Sequence, residues 1–278
     1  MKKLFWPSIF CFAVLGFLIF GAQQTFADTP KFNNVSSDDF NSVMKDFSAL
    51  SAYSSVSGAS GRGSLFGFEV GLLGSVTSTP NLNTVAQKAD STLSLPQLPS
   101  AGVLAALTIP MGVSFEFIFL PSTTVSNLNY QQYGGAVQYK IMSLPLDLSA
   151  KVHYTKTLFN FDQVVNNAST GNQPVNATIN FDDTHVGGDL MVGKDLIFIE
   201  PYVGLGYEAA SANLGLTGST TASIFAPAFT SAQSASSSPS SVRLLAGVEF
   251  KLLLLRIGAE YLHVYDTNRY NFKLSAGF

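Results

Sequence analysis

Between residues 146 and 155 the sequence separates by parity. Leu146, Leu148, Ala150, Val152 and Tyr154 make one row, and Asp147, Ser149, Lys151, His153 and Thr155 make the other. A β-strand points successive side chains to opposite faces, so one face is wholly apolar and the other polar and charged. The last nine residues repeat the pattern, with Tyr270, Phe272, Leu274, Ala276 and Phe278 opposing Asn271, Lys273, Ser275 and Gly277. Val113, Phe115, Phe117 and Phe119 likewise oppose Ser114 and Glu116, and Phe66, Phe68, Val70 and Leu72 oppose Gly67, Glu69 and Gly71.

Soluble sandwiches alternate too, so alternation alone does not decide the class. These segments, however, run to ten or more residues, beyond the five or six usual in soluble strands and right for a tilted membrane crossing. Their polar rows carry full charges with glycines among them, as a barrel lumen does. The chain also ends on an aromatic within an alternating strand, and Phe278 resembles the signal read by outer-membrane assembly machinery. Charged residues make up only 12% of the chain, against about a quarter in soluble domains. The best helical span, 242–264, is interrupted by Arg243, Glu249, Lys251, Arg256 and Glu260. High apolarity without helical spans leaves a closed barrel as the way to sit in a bilayer. The expected fold class is therefore all-β, an antiparallel transmembrane barrel.

Residues 1–27 read as a Sec-type signal peptide: Lys2 and Lys3, an apolar run to Phe20, and Thr25-Phe26-Ala27 ahead of Asp28. Cys11 falls inside that segment, so 28–278 contains no thiol, and disulfides and cysteine-based metal sites are excluded there. The net charge of −3 argues against nucleic-acid binding, which needs a basic face.

The strands are expected at 63–74, 101–109, 111–120, 130–142, 145–157, 178–193, 196–210, 239–252, 254–265 and 268–278. Ten is an even number, as single-chain bacterial barrels show, with eight and twelve as the alternatives. Tight connections alternate with long ones at 75–100, 121–129, 158–177 and 211–238, matching short periplasmic turns and long external loops. Phe278 then marks a periplasmic strand end. Tyr130, Tyr133, Tyr154, Tyr207, Tyr261, Tyr265 and Tyr270 fall at loop-side ends, where an aromatic girdle suits the interface. Pro201 lies within a lipid-facing row and cannot donate a ladder bond, which predicts a bulge there or a later strand start.

Residues 28–62 form a periplasmic or lumen-plugging segment ahead of the 63–278 barrel. Phe40, Val43, Met44, Phe47 and Leu50 share one face of a helix over 38–50 that Ser37-Asp38 can cap. Residues 54–63 are Ser/Gly-rich, and 80–100 hold a weaker helical signal at Leu82, Val85, Ala86 and Ala89. Ser54-Ser55-Val56-Ser57-Gly58-Ala59-Ser60, then Leu65-Phe66-Gly67-Phe68-Glu69-Val70-Gly71, resemble a family of uncharacterised predicted outer-membrane proteins. Leu95-Pro96-Gln97-Leu98-Pro99 and Gly204-Leu205-Gly206-Tyr207-Glu208 are similar too. The resemblance implies location and barrel architecture and carries no catalytic or ligand residues.

By parity Glu69, Glu116, Asp147, Asp189, Glu200, Glu208, Glu249 and Glu260 line the lumen with Lys140, Lys151, His153, Arg243, Lys251, Arg256 and Lys273. A ten-stranded barrel is narrow, so such charges either pair or line a selective conduit. The first expectation is a narrow channel or transporter for small or hydrophobic solutes. A structural or adhesin-like barrel with a filled lumen is the alternative. Lateral passage through a wall defect near Pro201, Gly134-Gly135 or Gly187-Gly188 is a third reading. His153 and His185 near Asp182, Asp183 and Asp189 match no catalytic motif, so a hydrolase is the least favoured. Outer-membrane lipids and the assembly machinery are the expected partners of a monomer without cofactor or metal.

Overall fold

Ten wall positions close on themselves through antiparallel pairs between neighbours in sequence. The computed structural model describes residues 36–62, 66–125, 128–143, 145–167, 173–218 and 234–278; the expected signal peptide, residues 1–27, lies outside them. The strands are β1 (Gly67–Ser78), β2 (Gln97–Ile109), β3 (Val113–Val125), β4 (Leu128–Met142), β5 (Asp147–Asn167), β6 (Gln173–Gly193), β7 (Ile199–Gly218), β8 (Ser234–Ser237), β9 (Ser240–Leu252), β10 (Leu255–Val264) and β11 (Thr267–Gly277). Short β8 and β9 both pair with β7 and together fill one wall position. The ring closes where β1 meets β11, and Phe68 and Phe278 exchange backbone bonds of 3.0 Å in both directions. The protein is an outer-membrane β-barrel, and no described helix is long and apolar enough to cross a membrane.

The wall departs from expectation above the membrane. β5 and β6 have 21 residues each and β7 has 20, so the expected loops at 158–177 and 211–238 are partly strand. β3 and β4 likewise run on to Val125 and from Leu128 through the expected 121–129 loop. The reason lies in the inward rows. At membrane height these carry charge, whereas higher up they turn apolar, with Phe159, Phe181 and Leu214 all buried. There they pack on a helix and keep the ladder going.

That helix is α1 (Ser37–Ser51). Ser36 caps it, accepting from the Asp39 N–H at 3.1 Å, one residue before the expected cap. Its apolar face, Phe40, Val43, Met44, Phe47 and Leu50, is fully buried at the loop-side mouth, at about 2 kcal/mol per side chain. The wall satisfies its free end: Arg269 Nη1 donates to the carbonyls of Ala49, Leu50 and Ala52, and Gln132 Nε2 donates to that of Ser51 at 2.8 Å. α2 (Pro80–Ala89), in the β1–β2 connection, covers the same mouth and packs Leu82 and Val85 on α1.

Pro201 needs no bulge. β7 begins at Ile199, three residues later than expected, and its register with β9 is unbroken through Pro201–Val248. The register with β6 ends at Tyr202–Gly193, so the missing N–H falls at a ladder's end. Gly134-Gly135 and Gly187-Gly188 are also paired on both sides. The lateral-defect expectation is wrong at all three places.

Candidate functional site

Below α1 the chain runs down the barrel axis as residues 52–62, touching side chains from most of the wall. Tyr53 Oη donates to Glu116 at 3.0 Å, and Ser54 Oγ to Glu260 at 2.7 Å. Lys151 Nζ donates to Ser55 Oγ at 3.0 Å, and Gln138 Nε2 to the Gly58 carbonyl at 2.9 Å. The Ser60 N–H meets Glu200 at 2.7 Å. Gln138, Lys140 and Lys151 anchor it from β4 and β5, while Glu200, Arg243, Glu260 and Arg269 do so from β7, β9, β10 and β11. None of the backbone groups of 53–62 joins a wall ladder among the described residues.

All fifteen residues expected to line the lumen point inward, and the structure joins all of them but Glu260 into ion-pair groups. Near the Phe278 end, Arg62 on the plug forks between Glu69 and Glu116. Lys273 bridges Glu69 at 2.8 Å and Glu249 at 2.6 Å, Arg256 meets Glu249 at 3.0 Å, and Lys151 meets Glu116 at 3.1 Å. At that rim Lys251 pairs with Glu200 at 2.8 Å and Lys140 with Asp147 at 3.2 Å. Midway, Arg243 lies between Asp189 and Glu208, and its Nη2 donates to the Tyr53 carbonyl at 2.9 Å. Most buried charges of the lumen have an opposite neighbour, as burial in a narrow lumen favours; Glu260 is held instead by hydrogen bonds from Ser54, Tyr202 and Asn271.

The two histidines differ. His185 sits 2.8 Å from both Asp183 and Glu208. His153 lies 3.5 Å from Asp189, and its ring stacks on Tyr53 at 5.3 Å. Asp182 faces outward with Lys156. Among the described residues no group of three or more potential ligands could hold a metal.

Five expected girdle residues, Tyr133, Tyr154, Tyr207, Tyr261 and Tyr270, are exposed on the outer face. Followed around the register of tilted strands, they fall within roughly two residues of one level. Tyr130 and Tyr265 do not belong to the girdle. Tyr130 shares parity with Gln132 and packs inward on Phe159; Tyr265 sits in the β10–β11 turn with φ of 54° and turns inward to His185.

Sequence reasoning overlooked Arg62, Tyr202 and Arg269. Tyr202 shares parity with Glu200 and donates to Glu260 at 3.0 Å, and Arg269 shares parity with Asn271 and Lys273, so period two held the signal for both. Arg62 lies in an aperiodic Ser/Gly stretch, where no such signal exists. Arg269 differs from the other buried cations in having no carboxylate within ion-pair distance among the described residues, and its Nε has no hydrogen-bond partner.

A wall gap lies beside it. The β2–β3 ladder stops at Val103–Phe119, yet β2 continues to Gln97 and β3 to Val125. The β3–β4 register shifts between Leu120 and Thr123, bracketing Pro121, and a bulge of this kind bends its strand. A cavity of about 30 Å³ sits in the gap, lined by consecutive residues 100–102 and 118–120 and, inside, by Arg269 and Asn271.

A model of a family of unknown function, DUF6588, matches residues 86–278. The chain belongs to this family. The matched span takes in the barrel from the last turn of α2 onward and leaves α1, the plug, β1 and the start of α2 outside. Solved structures similar in fold include Ail, the attachment invasion locus protein of Yersinia pestis (14% identity, 76% of this chain and 96% of that one, TM-score 0.32). Neisserial surface protein A is similar at 14% identity over 76% and 94% of the two chains, TM-score 0.27. A FadL homologue of Pseudomonas aeruginosa is similar at 10% identity over 77% and 90%, TM-score 0.32. These are outer-membrane barrels, and the likeness extends to fold alone. No curated protein matches the sequence.

Proposed function

We propose that this barrel is a plug-gated conduit of the outer membrane for small or hydrophobic solutes, closed in the state described. One observation carries the reading: the lumen is filled by a segment that shares no ladder with the wall. Side-chain bonds alone tie it in place, so it can leave without breaking the barrel. The reading is non-enzymatic, with the His185 and His153 groupings serving to fasten the plug and pair its neighbours. The second reading, a filled structural or surface-interaction barrel, is favoured by the extent of the ion pairing.

A disulfide lock separates the two. A Cβ built at Gly193 lies 3.3 Å from the Ala59 Cβ, close to the spacing of a bridge, and Cys11 is the only native cysteine. The Ala59→Cys/Gly193→Cys protein is expected to pass current in planar bilayers when reduced and to fall silent when oxidised. No openings in either state would establish the filled barrel instead, and equal currents in both would overturn the plug as a gate.

A further inference from the structure

We propose that the gap between β2 and β3 binds a single-chain anionic amphiphile, its head on Arg269 and its tail leaving through the wall. The proposal deepens the conduit reading by naming a substrate class.

The cavity's lining belongs to both faces of the wall. An internal pocket in a β-wall meets alternate residues, whereas here consecutive residues of both strands line it. It opens at the height of Tyr133, which pairs with Phe119 at the gap's lower edge. Lipid headgroups lie at that level. Exposed Val103 and Phe119 make the lower lip apolar, as a tail requires.

Its inner end is cationic. Arg269 is 6% exposed and spends one nitrogen, Nη1, on the last carbonyls of α1. Its Nε, buried and without a partner among the described residues, is a donor of a kind rarely left unmade. A guanidinium presents paired donors that match a carboxylate, sulfate or phosphate head. Gln132, and the Ser75–Ser100 hydroxyl pair at 2.7 Å, add neutral polar groups to the same cavity. Neutral lining beside one unmatched cation selects a single negative charge.

The test uses the oxidised Ala59→Cys/Gly193→Cys barrel carrying Phe119→Trp as reporter, Trp6 being the only native tryptophan and lying in the signal segment. With the plug locked, binding is read independently of gating, so failure here is distinct from failure of the conduit. Dodecanoate added in nonionic detergent is expected to shift tryptophan emission saturably, with affinity falling at least tenfold in Arg269→Gln. Arg269 also holds α1, so Ser100→Leu, which fills the cavity and leaves Arg269 in place, should abolish the shift too. A response to acetate as strong as to dodecanoate would mark a free-anion site and overturn the proposal. An equal response to dodecanol, or no response at all, would overturn it as well.

Discussion

Gly58 has no room for a side chain. A Cβ there would sit 2.2 Å from Glu200 Oε1, the oxygen that accepts the Ser60 N–H, on a carboxylate also held by Lys251. Gly58→Ala is therefore expected to displace that carboxylate or the plug and destabilise the barrel by about 1–3 kcal/mol. A lower urea midpoint at unchanged slope reports it; an unchanged midpoint would mean that the plug shifts freely. At this scale the sequence was legible wherever a residue sits inside a strand, because parity decides which way it points. Parity fails at Tyr265, since a turn residue with positive φ leaves the strand alternation. It is silent on Arg62, whose partners depend on where an aperiodic segment threads.

Among the elements, the two helices at the mouth are latched by charge. Buried Asp46 on α1 accepts from the Leu82 N–H at 2.8 Å and from Asn81 Nδ2 at 2.9 Å, capping α2 from a neighbouring helix. Burial pushes its carboxyl above the ordinary aspartate range, against the pull of those donors. Folding thus favours the protonated form, so the stability Asp46 lends is greatest in acid and lost as pH rises through its raised pKa. Asp39 and Asp266 run the other way. Hydrogen bonds from Lys88 and Lys45, at 2.7 and 2.8 Å, hold their carboxyls below the usual range. Their help is present above the ordinary carboxylate pKa and lost as pH falls through the lowered one. Both pairs are solvated and worth well under ~1 kcal/mol each. Asp46→Asn, which keeps an acceptor for α2 but cannot titrate, should flatten the decline in melting temperature on the alkaline side of the ordinary aspartate pKa. An unaltered profile would place that decline elsewhere. The apolar face of α1 was legible because its spacing is helical. The upper halves of β5, β6 and β7 were not, because their inward rows change from polar to apolar to meet that face.

For the whole molecule, the question is whether plug and wall unfold as one body. Arg62 and Lys273 enter the same network, each meeting Glu69, and both are buried. They differ in attachment. Lys273 belongs to β11, laddered to β1 and β10, whereas Arg62 belongs to a segment tied only through side chains. If plug and wall are separate bodies, Arg62→Ala should free 53–62 to protease and raise channel openings while leaving the barrel's melting temperature nearly unchanged. The lost cation is shared out, since Lys273 still serves Glu69 and Lys151 still serves Glu116. Lys273→Ala strips the wall's own link between Glu69 and Glu249, and removing one partner of a buried pair costs about 3–5 kcal/mol. It should lower the melting temperature more than Arg62→Ala does. Barrels that lose stability equally in the two variants, with 53–62 still protected, would show a single cooperative core and count against a gate.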